Sequence, residues 1–297
     1  MNFEELLKGR VCSCGMNHTC AIKHIIIGRG ANEKLGGLLG DYRKILLVAD
    51  TNPYAACGDA IRAQIGDKLE SLLIYQRDGL LIPDEEAVGE MQKKLTAQTD
   101  LIVGIGSGVI QDLCKYVSHF EKVPYVIVAT APSMDGYASN GAAMITDGMK
   151  VTYPAGLPRA IVADPEVLRL APMEMLQAGY GDIIGKFSAL NDWKLSALVN
   201  NEYFCEYIYD LTFEQIRKTV ALAEGICRRE AESVKALMEA LVTVGILMSF
   251  AGSSRPASGS EHHLSHFFEI TGILEKTPYF PHGIDVACST VVTAELR

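Results

Sequence analysis

The chain has 297 residues, 48% of them hydrophobic and 21% charged, and carries a formal net charge of −9. That length is enough for two domains with proper cores, and the balance leaves little room for disorder. A net negative chain without a Lys/Arg run has no basic face for nucleic acid, and the longest apolar run, Ala240 to Ala251, is interrupted by Thr243 and Gly245 and reads as a buried helix, not a membrane span.

The N-terminus, MNFEELLKGR, has acids where a signal peptide has lysines, which points to the cytoplasm. Cys12, Cys14, His18 and Cys20 then offer four zinc-type ligands within nine residues. The spacing is too cramped for two ligand pairs from separated elements, so the segment reads as a turn before the first strand. Five of the eight cysteines (Cys57, Cys114, Cys205, Cys227, Cys288) are dispersed in apolar contexts that suit reduced core thiols.

From Ile22 the pattern alternates. Strands are predicted at Ile22 to Ile27, Lys44 to Ala49, Ser71 to Tyr75, Asp100 to Gly104, Pro124 to Ala129 and Ala160 to Ala163. Between them fall helices at Ala31 to Leu39, Asn52 to Ile65, from Pro83, and onward to Phe120, with a hairpin turning at Asp147-Gly148. This is the rhythm of an α/β domain with a mostly parallel sheet, the arrangement of a dinucleotide-binding domain, assigned here to residues 1–164. Residues 165–297 carry only helical periodicity, at Met173 to Asn200, Phe213 to Arg229, Ser233 to Gly252 and Ser258 to Ile273, and form an all-α domain.

Ligands of open α/β sheets bind at the carboxyl ends of strands. The loop GIGSGVIQD places Gly106, Ser107, Gly108, Val109 and Ile110 between a strand and a helix, where free amides and a helix N-terminus face a pyrophosphate. It lacks the third glycine of the usual fingerprint. TAPSMDGYAS gathers small hydroxyls around Asp135, and Asp50 directly follows its strand, suited to a ribose or to capping the next helix.

Ser254 to Gly283 holds four of the seven histidines. His262 and His266 share a helix face with Glu269, His263 points about 100° away from His262, and His282 lies in Pro-His-Gly, a loop tip where Gly283 admits close backbone approach. Three imidazoles and one acid make a shell for zinc, nickel or ferrous iron. Asp182, just beyond Gly179 and Gly181, is the first choice for that acid, with Asp192 and Glu269 as competitors.

The strings GSGVIQD, TAPSMDGYAS, GYGDIIGKFSALNDW, SRPASGSEHHLSHFFE and PHG, in that order, resemble the sn-glycerol-1-phosphate dehydrogenases, part of the superfamily of iron-type alcohol dehydrogenases, glycerol dehydrogenases and dehydroquinate synthases. The resemblance implies metal ligands Asp182, His262 and His282, and substrate contact and proton relay by His266, with Asp135 facing the substrate. It also implies a nicotinamide nucleotide on Asp50, Gly106 to Ile110, Thr130, Ser133 and Ser139, and a small phosphorylated three-carbon substrate. An acid at position 50 favours NAD(H) over NADP(H). Arg255 and Lys186 are the candidate phosphate contacts; Lys186 replaces an asparagine or a histidine ligand of relatives, so a fourth protein ligand is not expected. Relatives continue with further helices beyond the position of Arg297, where contacts of a homo-oligomer are expected. The alternatives are a glycerol dehydrogenase using unphosphorylated substrate and a non-catalytic metal- or nucleotide-binding relative.

Overall fold

A computed structural model describes residues 1–77, 79–275 and 280–296, which divide into two compact units. The helical unit takes Met1–Cys20, Pro132–Ser139 and Pro172–Arg297; the sheet unit takes Ala21–Ala131 and Asn140–Ala171. The 1–164 and 165–297 division expected from periodicity thus lies near the last crossing, but periodicity carried no signal that residues 1–20 and 132–139 fold with the helices.

The helical unit opens with a small antiparallel ribbon, β1 (Arg10–Val11) against β2 (Asn17–His18). In the sheet unit β3 (His24–Ile27), β4 (Ile45–Asp50), β5 (Leu69–Tyr75), β6 (Leu101–Gly106) and β7 (Tyr125–Ala129) are followed by the hairpin β8 (Gly141–Thr146) and β9 (Met149–Pro154), then by β10 (Ala160–Ala163). Six of these form one parallel sheet in the order β3-β10-β7-β6-β4-β5. Its central strands read as continuous apolar runs because both faces are covered; Ile45 to Ala49 and Leu101 to Val103 are fully buried. The hairpin turns as its Asp-Gly pair predicts, with φ of 51° at Asp147 and 74° at Gly148.

From β4 the chain runs outward to β5, and the next strand, β6, lies on the other side of β4. The strand order therefore reverses between β4 and β6, the switch point at which open sheets take ligands. Asp50 ends one of these strands and Gly106 the other.

The helical unit contains helices Met173–Asn200, Glu206–Val220, Ala223–Cys227, Ala231–Ala251, Ser260–Glu275 and His282–Glu295. The single helix expected over Phe213 to Arg229 is two. The second piece packs so closely that a Cβ on Gly225 would stand 2.1 Å from Ser233 Oγ. Ala231–Ala251 has the length and hydropathy of a membrane span, but 72% of its apolar window is buried inside the protein.

Candidate metal centre

Helix Met173–Asn200 carries small residues wherever its neighbours approach most closely. A Cβ on Gly179 would fall 1.8 Å from Pro132 O, one on Gly181 2.4 Å from Gly283 O, and one on Gly185 2.5 Å from Val286 Cγ1. Each interior glycine costs roughly 1 kcal/mol of helix propensity relative to alanine. Here the cost permits helix His282–Glu295 to lie against the same stretch, which sets Asp182 opposite His282. Gly283 serves the same packing: its Cβ would fall 1.9 Å from Ala178 O. This corrects the expectation of a loop tip with backbone open to a ligand, because His282 is the first residue of a helix that Pro281 precedes.

The ligand atoms of Asp182, His262 and His282 lie within 4.8 Å of one another. Asp182 Oδ1 and His262 Nε2 are 3.8 Å apart, and the His262 and His282 ring centroids are separated by 5.2 Å. Donors bound tetrahedrally to one zinc-sized ion stand about 3.4 Å apart, so the set fits a divalent ion after a small contraction. Each imidazole is also aimed. His262 Nδ1 donates to Glu261 Oε1 at 2.7 Å and His282 Nδ1 to Glu269 Oε1 at 2.8 Å, carboxylates accepting only, so Nε2 keeps its lone pair. Burial holds His262 below the ordinary histidine pKa and so favours the neutral form that a ligand must take, although the bond to Glu261 partly offsets this.

Glu261 had no signal in the sequence, since adjacent helix residues normally face different ways. Its carboxylate reaches back over the helix start, accepting from the Gly259 amide at 3.0 Å as well as from His262. Glu269, weighed as a ligand, is placed by the fold to orient His282. It also forms a second compact group with His266 and His282. Asp192, the other competing acid, accepts from the Ser260 amide at 2.7 Å, at the N-terminus of the histidine helix. His263 is exposed, in line with the expected helix phase. His266 stands beside the triad, its ring centroid 6.2 Å from that of His262 and 5.9 Å from that of His282.

Lys186 is fully buried, its ammonium bonded to Asp182 Oδ1 and 2.8 Å from Asp135 Oδ2. Burial disfavours this charge, but Asp135 and then Asp182 outweigh it and raise its pKa. Burial also opposes ionisation of Asp182, yet the net effect of Lys186 and the imidazoles is to lower its pKa. With His262 neutral, Lys186 is the counter-charge that dominates at neutral pH. Asp135 is joined to the same group through its backbone, donating to Asp182 Oδ2 at 2.9 Å. Arg255, the other expected phosphate contact, is 2.6 Å from Glu202 through Nε.

In the sheet unit, Ser107 is the N-cap of helix Gly108–Glu121 and makes no side-chain cap bond, so the amides of Val109 and Ile110 in the first turn have no intrahelical partner. Gly104 and Gly106 are glycines for packing: Cβ atoms there would meet Cys114 Sγ at 2.7 Å and Ile110 Cβ at 2.5 Å. Thr130 bonds through its amide to Gly106 O at 3.1 Å, and Asp50 caps helix Thr51–Ile65 by accepting from the Thr51 amide at 2.6 Å. Ser133 and Ser139 belong to the helical unit, where Ser139 Oγ donates to Gly136 O at 3.2 Å.

Residues 26–172 match the family described as iron-containing alcohol dehydrogenase. Glycerol-1-phosphate dehydrogenase [NAD(P)+] of Halalkalibacterium halodurans is 32% identical over 292 residues, covering 96% of this chain and 73% of that protein. The protein of the same name from Methanosarcina mazei is 34% identical over 250 residues, covering 82% and 69% respectively. Among solved structures, glycerol dehydrogenase from Schizosaccharomyces pombe superposes with a TM-score of 0.72 at 21% identity, over 93% of this chain and 71% of that one. An archaeal alcohol dehydrogenase from a Red Sea brine pool gives 0.75 at 14% identity, over 95% and 74%. These structures share the fold, and the sequence relatives show that the chain belongs to the glycerol-1-phosphate dehydrogenase family within the iron-containing alcohol dehydrogenases.

Proposed function

We propose that the protein interconverts dihydroxyacetone phosphate and sn-glycerol 1-phosphate with NAD(P)H, and that Asp182, His262 and His282 hold the single divalent ion, zinc, nickel or ferrous iron, on which the reaction depends. One observation carries the assignment: two imidazoles and a buried carboxylate converge, and each imidazole has its Nδ1 engaged by a carboxylate. The relatives named for this activity, at 32% and 34% identity, support the substrate. When bound, such an ion would supply Lewis-acid polarisation of the carbonyl, or acidification of the alcohol in the reverse direction, and a nicotinamide would supply the hydride chemistry.

The chain's own groups bind, orient and move a proton. Glu261 and Glu269 fix the two imidazoles. His266, beside the triad, contacts the substrate and exchanges the proton of its secondary oxygen. Asp135 faces the substrate and, through its amide, keeps Asp182 oriented. The first turn of helix Gly108–Glu121 receives the pyrophosphate, with Thr130, Ser133 and Ser139 as further nucleotide contacts, and Asp50 takes a ribose hydroxyl, so that NADH is preferred over NADPH. Of the two phosphate candidates Arg255 is favoured, because it is 40% exposed and can leave Glu202, whereas Lys186 is fully buried and would have to abandon two carboxylates. Exposed Leu195, Leu198 and Val199 suit a homo-oligomer, and a cytoplasmic setting is expected for such an enzyme.

The experiment is NADH oxidation with dihydroxyacetone phosphate and with dihydroxyacetone, on protein stripped of metal and then reloaded, followed by determination of the product's handedness. Metal-dependent turnover of the phosphorylated ketone to sn-glycerol 1-phosphate is expected. Preference for dihydroxyacetone would make the protein a glycerol dehydrogenase, and the opposite enantiomer would overturn the substrate assignment.

A further inference from the structure

A second group of soft donors lies in the helical unit, on residues outside the proposed reaction. The ribbon β1/β2 folds back at Gly15, whose φ is 88°, with the Cys12 amide bonded to Met16 O and the Gly15 amide to Cys12 O, both at 3.0 Å. At its base Gly9 has φ of 70°, and a Cβ there would lie 2.4 Å from His18 O. This turn brings Cys12, Cys14 and His18 together. The fourth donor is Cys205, 193 residues after Cys12, at the N-cap of helix Glu206–Val220.

Distances and orientation both point to a metal. Cys12 Sγ and Cys205 Sγ are 3.7 Å apart, and His18 Nε2 is 3.4 Å from each of Cys14 Sγ and Cys205 Sγ. For tetrahedral zinc, bond lengths of about 2.3 Å to sulfur and 2.0–2.1 Å to nitrogen imply sulfur pairs about 3.8 Å apart and sulfur–nitrogen pairs about 3.5 Å apart. His18 is fully buried, and its other nitrogen, Nδ1, donates to Phe250 O at 3.0 Å, so Nε2 turns its lone pair toward the three sulfurs. The ring is held there by Phe250, stacked at 5.4 Å, and by Tyr207 at 6.3 Å. Tyr203 Oη lies 3.3 Å from Cys14 Sγ, and Cys205 stands at the start of helix Glu206–Val220.

We propose that Cys12, Cys14, His18 and Cys205 form a structural zinc site that fastens the N-terminal ribbon to the start of helix Glu206–Val220 and the end of helix Ala231–Ala251. The rule that set the cluster aside in the sequence was correct about its spacing: Cys12, Cys14 and His18 are too close for two ligand pairs. The missing ligand comes from Cys205 in place of Cys20, and only the fold supplies it. Three thiolates and one imidazole suit zinc, with every coordination position taken by protein, whereas the Asp182 centre has three protein ligands and an open position.

The test uses the full chain purified without chelator. The His262→Ala/His282→Ala double variant, which lacks the imidazoles of the other centre, is expected to retain about one zinc per chain, and adding Cys14→Ser to it should bring zinc close to zero. Cys227→Ser, an exposed thiol outside the cluster, should change nothing. Should the cysteine variants fail to fold, cobalt exchange into the wild type and into the double variant decides the matter, a sulfur-to-cobalt charge-transfer band being expected in both. Absence of that band from cobalt-loaded protein would overturn the proposal, as would a Cys12–Cys205 disulfide found by non-reducing peptide mapping of metal-replete protein.

Discussion

Lys186 and Asp182, one turn apart on helix Met173–Asn200, form an ion pair with no side-chain solvent exposure at the ammonium and 1% at the carboxylate. The carboxylate oxygen that Lys186 bonds is the one facing His262 Nε2. Lys186 and a metal ion held there would therefore neutralise the same acid. Removing one partner of a buried pair typically costs about 3–5 kcal/mol, because the other is left uncompensated. Lys186→Met should lower the stability of metal-free protein by about that amount, and metal should restore more stability to the variant than to the wild type. Thermal unfolding with chelator and with added zinc checks this. An unchanged melting temperature together with a raised KM for dihydroxyacetone phosphate would return Lys186 to the phosphate.

Adjacent histidines separate helix phase from composition. His262 is 7% exposed and aimed at Asp182, whereas His263 is exposed. His262→Ala should abolish metal retention at the Asp182 centre together with turnover, and His263→Ala should leave most of both. Elemental analysis against a Cys14→Ser background reads this centre alone. Loss of metal from the His263 variant would contradict the orientation described.

Glu269 distinguishes an orienting carboxylate from a ligand. If it only holds His282 Nδ1, Glu269→Gln keeps an acceptor at 2.8 Å and should cost little, while Glu269→Ala should weaken metal affinity roughly 10- to 100-fold. If instead the group His266, Glu269 and His282 is the true centre, Glu269→Gln should lose metal as completely as Glu269→Ala. Competition titration with a chromophoric chelator measures both.

The sheet was legible because its strands are buried on both faces and read as unbroken apolar runs; Ala160 to Ala163 appears with the expected bounds. Helix Met173–Asn200 was equally clear, since apolar periodicity persists through its glycines. What periodicity could not give was contact between distant segments. Glu261 faces His262 only because its side chain curls back over a helix start, and Cys205 looked like an ordinary core thiol. Pro281 and Gly283 give His282 the flanks of a loop residue, although proline is at home before a helix and this glycine serves helix packing.

The helix cap made by Asp50 and the ribose contact proposed for it can be separated by substitution. Its carboxylate caps helix Thr51–Ile65, an interaction of about 1 kcal/mol, and its charge should repel a 2′-phosphate. Asp50→Ser keeps a capping oxygen and removes the charge, so it should narrow the preference for NADH over NADPH at little cost in stability. Asp50→Ala should narrow it equally and lose the cap as well. Comparison of kcat/KM for the two nucleotides, with urea unfolding alongside, checks both. Equal use of the nucleotides by the unmodified protein would remove Asp50 from the ribose.

Asp112 offers a pH-dependent test in the sheet unit. It is 8% exposed on helix Gly108–Glu121, and burial raises its pKa to about 6 even with Lys115 Nζ 3.7 Å away. The unfolded reference is 3.8, so between these values the native state holds the proton that the unfolded chain releases. Stability from this group is therefore fully present below the unfolded pKa and is lost as pH rises through the folded one. The difference of about two pKa units corresponds to roughly 3 kcal/mol. Asp112→Asn cannot titrate, and whatever fixed cost it carries beside Lys115 should be nearly the same at every pH in the window. The stability of the wild type minus that of the variant should thus favour the wild type by about 3 kcal/mol more near pH 3 than near pH 7. Urea unfolding of both proteins across that range measures the double difference. A value independent of pH would mean that Asp112 titrates in the folded protein as it does in the unfolded chain, with Lys115 offsetting its burial.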